Sequence, residues 1–120
     1  MRSSAGERKI YDILSSSGLN FKEEYIFPDL VSSSGRPLRF DFAVFTLDGS
    51  TLAFLIEFQG EQHYKPVKIY GGKKGFYRQR YNDSKKREYC RKRKIPLVII
   101  PYYDEPKLDL GYILHKVGLY

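Results

Sequence analysis

From residue 38 to residue 45 the chain alternates: Leu38, Phe40, Phe42 and Val44 fall on one side of an extended backbone, and Arg39, Asp41, Ala43 and Phe45 on the other. A second alternating run, residues 52–59, sets Leu52, Phe54, Ile56 and Phe58 against Ala53, Leu55, Glu57 and Gln59. Asp48-Gly49 between them is a strong turn signal, so the two runs predict an antiparallel hairpin. Upstream, Ile10, Ile13 and Leu14 recur at helical spacing behind the candidate caps Ser3 and Ser4, and Ser4 with Glu7 completes an S-x-x-E capping box. Residues 15–18 end that helix. Residues 20–27 read as extended and stop before Pro28, while residues 31–37, rich in Ser and holding Gly35 and Pro37, read as a loop.

Downstream of the hairpin, residues 60–75 are Gly-rich, contain Pro66 and predict a loop. Residues 76–93 predict a long, basic, Tyr-bearing helix, residues 97–100 a buried strand ended by Pro101, and residues 108–117 a short closing helix. The order α-β-β-β-α-β(-α) predicts an α/β fold with a mixed sheet flanked by helices. No repeat or linker interrupts it, and 120 residues, 42% of them hydrophobic, suffice for one core, so residues 1–120 are expected to form a single domain.

Charge sharpens the picture. The chain carries 21 Lys and Arg against 14 Asp and Glu, a net charge of +7, which points to an acidic partner. Residues 73–94 hold eleven of those cations against Asp83 and Glu88, so the whole excess sits in one segment, as a phosphate-contacting face requires. Cys90 is the single cysteine, which excludes an intramolecular disulfide and a Cys-based zinc cluster. With charged Arg2, Glu7, Arg8 and Lys9 and no apolar run behind them, a secretory signal is not expected, nor a membrane partner, and the expected location is the cytoplasm.

The hairpin also predicts a site. A three-residue loop around Gly49 pairs residues whose numbers sum to about 98, which sets Asp41 opposite Glu57, with Gln59 two residues further along the same face. Cβ atoms of such partners lie roughly 4.5–5.5 Å apart, close enough to share a divalent cation. Mg²⁺, replaceable by Mn²⁺, suits an oxygen site, and such a metal would polarise a phosphoryl oxygen and acidify an attacking water. The plainer possibilities are polar residues on a solvated sheet or a buried ion pair with Arg39; the apolar neighbours Ala43, Phe45, Ala53 and Leu55 argue that a helix covers this face.

His63 follows the strand bearing Glu57 closely enough to reach the same site, where an imidazole can move a proton near neutral pH; a solvated loop histidine is the simpler reading. Lys65 is a second candidate to steady the nucleophile. Glu7 shares a helical stripe with Ile10, Tyr11 and Leu14, so it can face the sheet as well as cap its helix. Asp83, an acid among cations, fits either the site or a salt bridge such as one to Arg87.

Taken together, Glu7, Asp41 within Arg-Phe-Asp-Phe-Ala, the run Ile-Glu-Phe-Gln-Gly-Glu-Gln-His-Tyr, and Asn82-Asp83 ahead of Ile95-Pro96-Leu97 resemble the PD-(D/E)XK nuclease superfamily. The chain is most similar in pattern to the phage-type EDxHD homing endonucleases, relatives of the very-short-patch repair endonucleases. The resemblance implies a restriction-endonuclease-like core and a catalytic set of Glu7, Asp41, Glu57, Gln59, His63 and Asp83. It implies metal held by Asp41, Glu57 and Glu7, with proton transfer by His63, and a cytoplasm that is bacterial if the gene is a phage's. Gln59 departs from the pattern, standing where the superfamily has lysine and the homing type an acid.

The expected function is a metal-dependent DNA endonuclease. A structure-selective nuclease, such as a junction resolvase or mismatch nickase, and a catalytically inactive DNA-binding module of the same fold are the alternatives. Lys65, Lys73, Lys74, Arg78, Arg80, Lys85, Lys86, Arg87, Arg91, Lys92 and Arg93 are the expected DNA contacts. One site per chain makes a homodimer a candidate assembly for cutting both strands.

Overall fold

In the computed structural model residues 4–118 are described, so Ser3 and Arg2 lie outside the described residues. The first element is α1 (Ala5–Ser16), started by the Ser4 and Glu7 capping box with both of its hydrogen bonds present. Strands β1 (Asn20–Val31), β2 (Pro37–Phe45), β3 (Leu52–Gln59) and β4 (Leu97–Pro101) form one mixed sheet in that spatial order. The first three run antiparallel, and β4 lies parallel to β3 after a crossover through the long helix α2 (Gly72–Arg93). Helix α3 (Leu110–Val117) closes the chain, capped by the Asp109 carboxylate. This is the α-β-β-β-α-β(-α) order expected from the alternation.

Each face of the sheet has its own apolar core. On one, Ile10 and Leu14 of α1 and Ile113 of α3 pack with Phe42, Val44, Phe54, Ile56, Val98 and Ile100. On the other, Tyr89 and Cys90 of α2 pack with Leu30, Leu38, Phe40, Ala43 and Leu55. A fully buried Leu, Ile or Phe contributes roughly 1.5–3 kcal/mol, and a one-residue slip would turn every such side chain to the wrong face, so the register is strongly selected. The hairpin register follows the expected sum, with Phe42 opposite Ile56, Ala43 opposite Leu55 and Val44 opposite Phe54.

The alternation fails at two points. At the start of β3 the register shifts between Val44 and Phe45, and Leu52 packs in the α2-side core and Ala53 in the α1-side core, the reverse of the expected faces. Leu38 and Phe40 lie in the α2-side core, whereas Phe42 and Val44 lie in the α1-side core, so β2 reverses its faces at Asp41. Strand β1 reverses with it: Phe21 packs on the α1 side and Tyr25 and Phe27 on the α2 side, and Glu24 between them has a left-handed φ of 49°. A simple period of two does not survive such an irregularity.

Three boundaries also differ from expectation. Strand β1 runs through Pro28 to Val31, which is tolerated because β1 is an edge strand and its pairing with β2 is irregular between Ile26 and Val31. The Gly-rich stretch contains two short 3-10 turns, Glu61–His63 and Lys68–Tyr70, and α2 begins at Gly72, four residues before Phe76. A further 3-10 turn, Tyr102–Lys107, follows β4 and delays the last helix to Leu110. Among the described residues no helix is long and apolar enough to cross a membrane.

Gly75 lets the start of α2 press against the preceding turn: a Cβ there would stand 1.8 Å from the Tyr70 carbonyl oxygen. Helix propensity alone favours Gly75→Ala by about 1 kcal/mol. Overlap with backbone predicts instead a loss of about 1–3 kcal/mol, measured by urea unfolding; a gain in stability would show that the close approach is not maintained in solution.

Candidate active site

Strands β2 and β3 part company at Asp41 and Glu57. Their ladder ends at Phe42 and Ile56; beyond it β2 pairs with β1, Phe40 facing Tyr25, while β3 pairs with β4, Glu57 facing Ile99 and Gln59 facing Pro101. The divergence strands two backbone donors, and the two carboxylates receive them. Asp41 N–H donates to Glu57 Oε1 at 3.0 Å, and Phe58 N–H donates to Asp41 Oδ2 at 2.7 Å. The acids therefore meet across the ribbon as the register implies, each anchored by the other's strand.

Above this splay opens a cleft of about 420 Å³, lined by Glu7, Asp41, Glu57, His63, Gln79 and Lys86 among others. Glu7 comes from α1, and the residue before it explains how: Gly6 sits so close to the Phe58 ring that a Cβ would lie 2.2 Å from its Cζ. The bare glycine thus lowers the first turn of α1 onto β3 and carries Glu7 to the cleft. Tyr11, expected on the same inward stripe, is instead 41% exposed and meets Phe21 edge-on.

Four polar residues are buried among those described, Glu57, Gln59, Asp83 and Lys86, and all lie between β3 and α2. Lys86 Nζ donates to Glu57 Oε2 at 2.9 Å. His63 Nδ1 bonds Asp83 Oδ2 at 2.8 Å, and Gln79 Nε2 donates to Asp83 Oδ1 at 3.1 Å. Gln59 accepts from the Tyr64 hydroxyl and does not line the cleft. No buried side-chain polar atom among the described residues lacks a partner, so the network is fully satisfied, the condition under which buried polar groups position rather than destabilise.

Electrostatics single out Asp41. Burial, and next the negative charge of Glu57, push its carboxyl up to about 8, with Glu7 adding to the rise. Glu57 is also raised, chiefly by burial, but the Lys86 ammonium opposes the rise. Asp41 is left with surplus negative charge when ionised, which either a proton or a cation relieves.

As to metal ligands, both Glu57 oxygens are engaged, one by the Asp41 amide and one by Lys86. Asp41 Oδ1 makes no hydrogen bond among the described residues, and Glu7 uses only Oε1, in its capping box. Those residues contain no group of three or more His, Cys, Asp or Glu side chains arranged to hold a metal ion. Mg²⁺ commonly takes only one or two carboxylates and completes its shell with water and phosphate oxygens. Asp41 and Glu7 fit that role, and the charge surplus at Asp41 favours it.

Other expected residues lie elsewhere. Lys65 pairs with Glu61 at the surface, Arg39 with Glu24, and neither lines the cleft. Asp83 partners His63 and not Arg87. Of the basic residues of α2, Lys86 is turned inward, 8% exposed, while Lys73, Lys74, Arg78, Arg80, Arg87, Arg91, Lys92 and Arg93 are exposed and Lys85 is half-buried. Arg91 pairs with Glu88 and Arg93 with Asp29.

Sequence reasoning missed Gln79, and it placed Lys86 among the DNA contacts and not in the cleft because Lys86 is one of eleven cations in its segment. The usable signal is spacing: Gln79, Asp83, Lys86 and Cys90 stand at i, i+4, i+7 and i+11, the inward stripe of α2.

Removing one partner of a buried ion pair leaves the other charge uncompensated, so Lys86→Met is expected to cost about 3–5 kcal/mol. Adding Glu57→Gln should recover much of that loss, as read from a denaturant double-mutant cycle; strictly additive losses would show that the two groups do not interact. No protein-family model, curated protein or solved structure matches this chain.

Proposed function

We propose that this protein is a divalent-metal-dependent endonuclease that hydrolyses DNA phosphodiester bonds. The observation that carries the proposal is the convergence, in one cleft, of the under-compensated carboxylate Asp41 with Glu7 and with a histidine backed by an aspartate. When bound, a divalent metal would lower the pKa of an attacking water and polarise the phosphoryl oxygen. Asp41 and Glu7 would hold it.

The protein's own residues supply the rest. With Nδ1 held by Asp83, His63 has Nε2 left for the cleft, and a ring whose Nδ1–H is donated to a carboxylate is a bare base at Nε2. It takes a proton from the attacking water, and Asp83 stabilises the imidazolium that results, itself held in orientation by Gln79. Lys86, fixed by Glu57, sets a positive charge in the cleft wall, where negative charge grows on the phosphoryl group. The helix that brings Asp83 and Lys86 inward carries its exposed cations outward, so binding the sugar-phosphate backbone aligns a phosphate with the cleft.

Supercoiled plasmid incubated with Mg²⁺ or Mn²⁺ should be cleaved, with EDTA abolishing the reaction and added salt weakening it. Asp41→Ala and His63→Ala should each lower the rate by about 10²-fold or more. Cleavage at the wild-type rate in both variants would place the chemistry elsewhere.

A further inference from the structure

Beside the cleft lies a second pocket of about 380 Å³, lined by Gln62, Tyr70, Gly75, Arg78, Gln79 and Asn82. It shares Gln62, Tyr70 and Gln79 with the cleft, so a ligand in one adjoins a ligand in the other. Its size falls within the roughly 300–1,000 Å³ typical of small-molecule sites.

The lining chemistry is specific. Three carboxamides, one guanidinium and one phenol border the pocket, with no carboxylate. Carboxamides offer both donors and acceptors, as the edges of nucleobases do, whereas a phosphate needs donors alone. Arginine and carboxamides are also the side chains that form paired hydrogen bonds with purine edges. Among the described residues Gln62, Tyr70, Arg78 and Asn82 make no side-chain hydrogen bond, ion pair or ring contact, so these groups are uncommitted.

Tyr70 is built into place. Its residue ends a 3-10 turn, its carbonyl is pressed against Gly75 of α2, and Gly71 follows with φ 91° to turn the chain into the helix. The residue is nevertheless 52% exposed, and it lines both pockets. A large aromatic ring carried on an anchored stretch of backbone and left uncovered next to hydrogen-bonding groups can serve as a stacking platform.

We infer that this pocket is a nucleobase subsite, in which Tyr70 stacks on a base unstacked from the strand lying in the cleft, while Gln62, Arg78 and Asn82 address its edge. The inference rests on the nuclease reading for the presence of that strand. It adds that a base, and not only the backbone, contributes to binding, so single-stranded or locally unpaired DNA is favoured next to the cut.

Binding measured by fluorescence anisotropy in EDTA separates the two readings without cleavage. The probes are a dye-labelled mixed-sequence DNA decamer and an all-abasic tetrahydrofuran decamer of equal length and charge. Wild-type protein should bind the base-bearing strand about tenfold more tightly than the abasic one, the scale of one stacked base. Tyr70→Ala and Asn82→Ala should narrow that ratio, leaving abasic affinity unchanged, and Tyr70→Phe should preserve it. Equal affinity of wild-type protein for both strands, or a Tyr70→Ala loss of the same factor on both, would overturn the subsite while leaving the nuclease reading intact. Failure to bind either strand would overturn both.

Discussion

Two backbone N–H groups, those of Asp41 and Phe58, lie where β2 and β3 part and can no longer meet a carbonyl across the ribbon; the carboxylates of Glu57 and Asp41 take the carbonyls' place. An unpaired buried amide costs about 1–3 kcal/mol, so the splay is tolerable only with acceptors of this kind at these positions. Side-chain acceptors that reach across the gap allow the strands to diverge, and the divergence opens the cleft. The same substitution of carboxylate for carbonyl brings two negative charges together in a place shielded from water. Fold and chemistry thus share a single cause.

The remaining network follows from that charge. Lys86 neutralises Glu57, which leaves the excess on Asp41 and holds Glu57 rigid as a bridge between α2 and the Asp41 amide. Asp83, three residues before Lys86, is fixed from both sides by Gln79 and His63. Helix α2 consequently packs against the first half of its sheet contact through polar groups and through Tyr89 and Cys90 only further on. A helix so arranged gains little apolar burial near the site, and its position there depends on the geometry of its hydrogen bonds. That dependence ties the orientation of the histidine, the aspartate and the lysine to one rigid element.

Much of this was legible from the residues alone. The Asp48-Gly49 turn and the two alternating runs set the register that brings Asp41 to Glu57, and the Ser4 and Glu7 box marked the start of α1. What could not be read were features that local pattern does not encode. The face reversal at Asp41 arises from two neighbouring strands breaking together, at Glu24 and Asp41, which no period-two count of either strand contains. Pro28 looks like a strand end until β1 is known to be an edge. Lys86 is indistinguishable by composition from its neighbours, and only the stripe it shares with Gln79 and Asp83 separates a cation that lines a cleft from those that face solvent. Gln59, conspicuous in the motif, is an acceptor for Tyr64 away from the cleft.

The most direct measurement of the charge held at the strand divergence is a pH titration of the Phe58 backbone amide by proton–nitrogen correlation NMR in metal-free buffer. Because that N–H donates to Asp41 Oδ2, its chemical shift reports the protonation of this one carboxyl. A carboxyl raised to about 8 keeps its proton below that pH and loses it above, so the amide should shift with a midpoint near that value. A midpoint near the ordinary carboxylate value of about 4 would contradict the burial of Asp41 beside Glu57, and no shift at all would contradict its bond to β3.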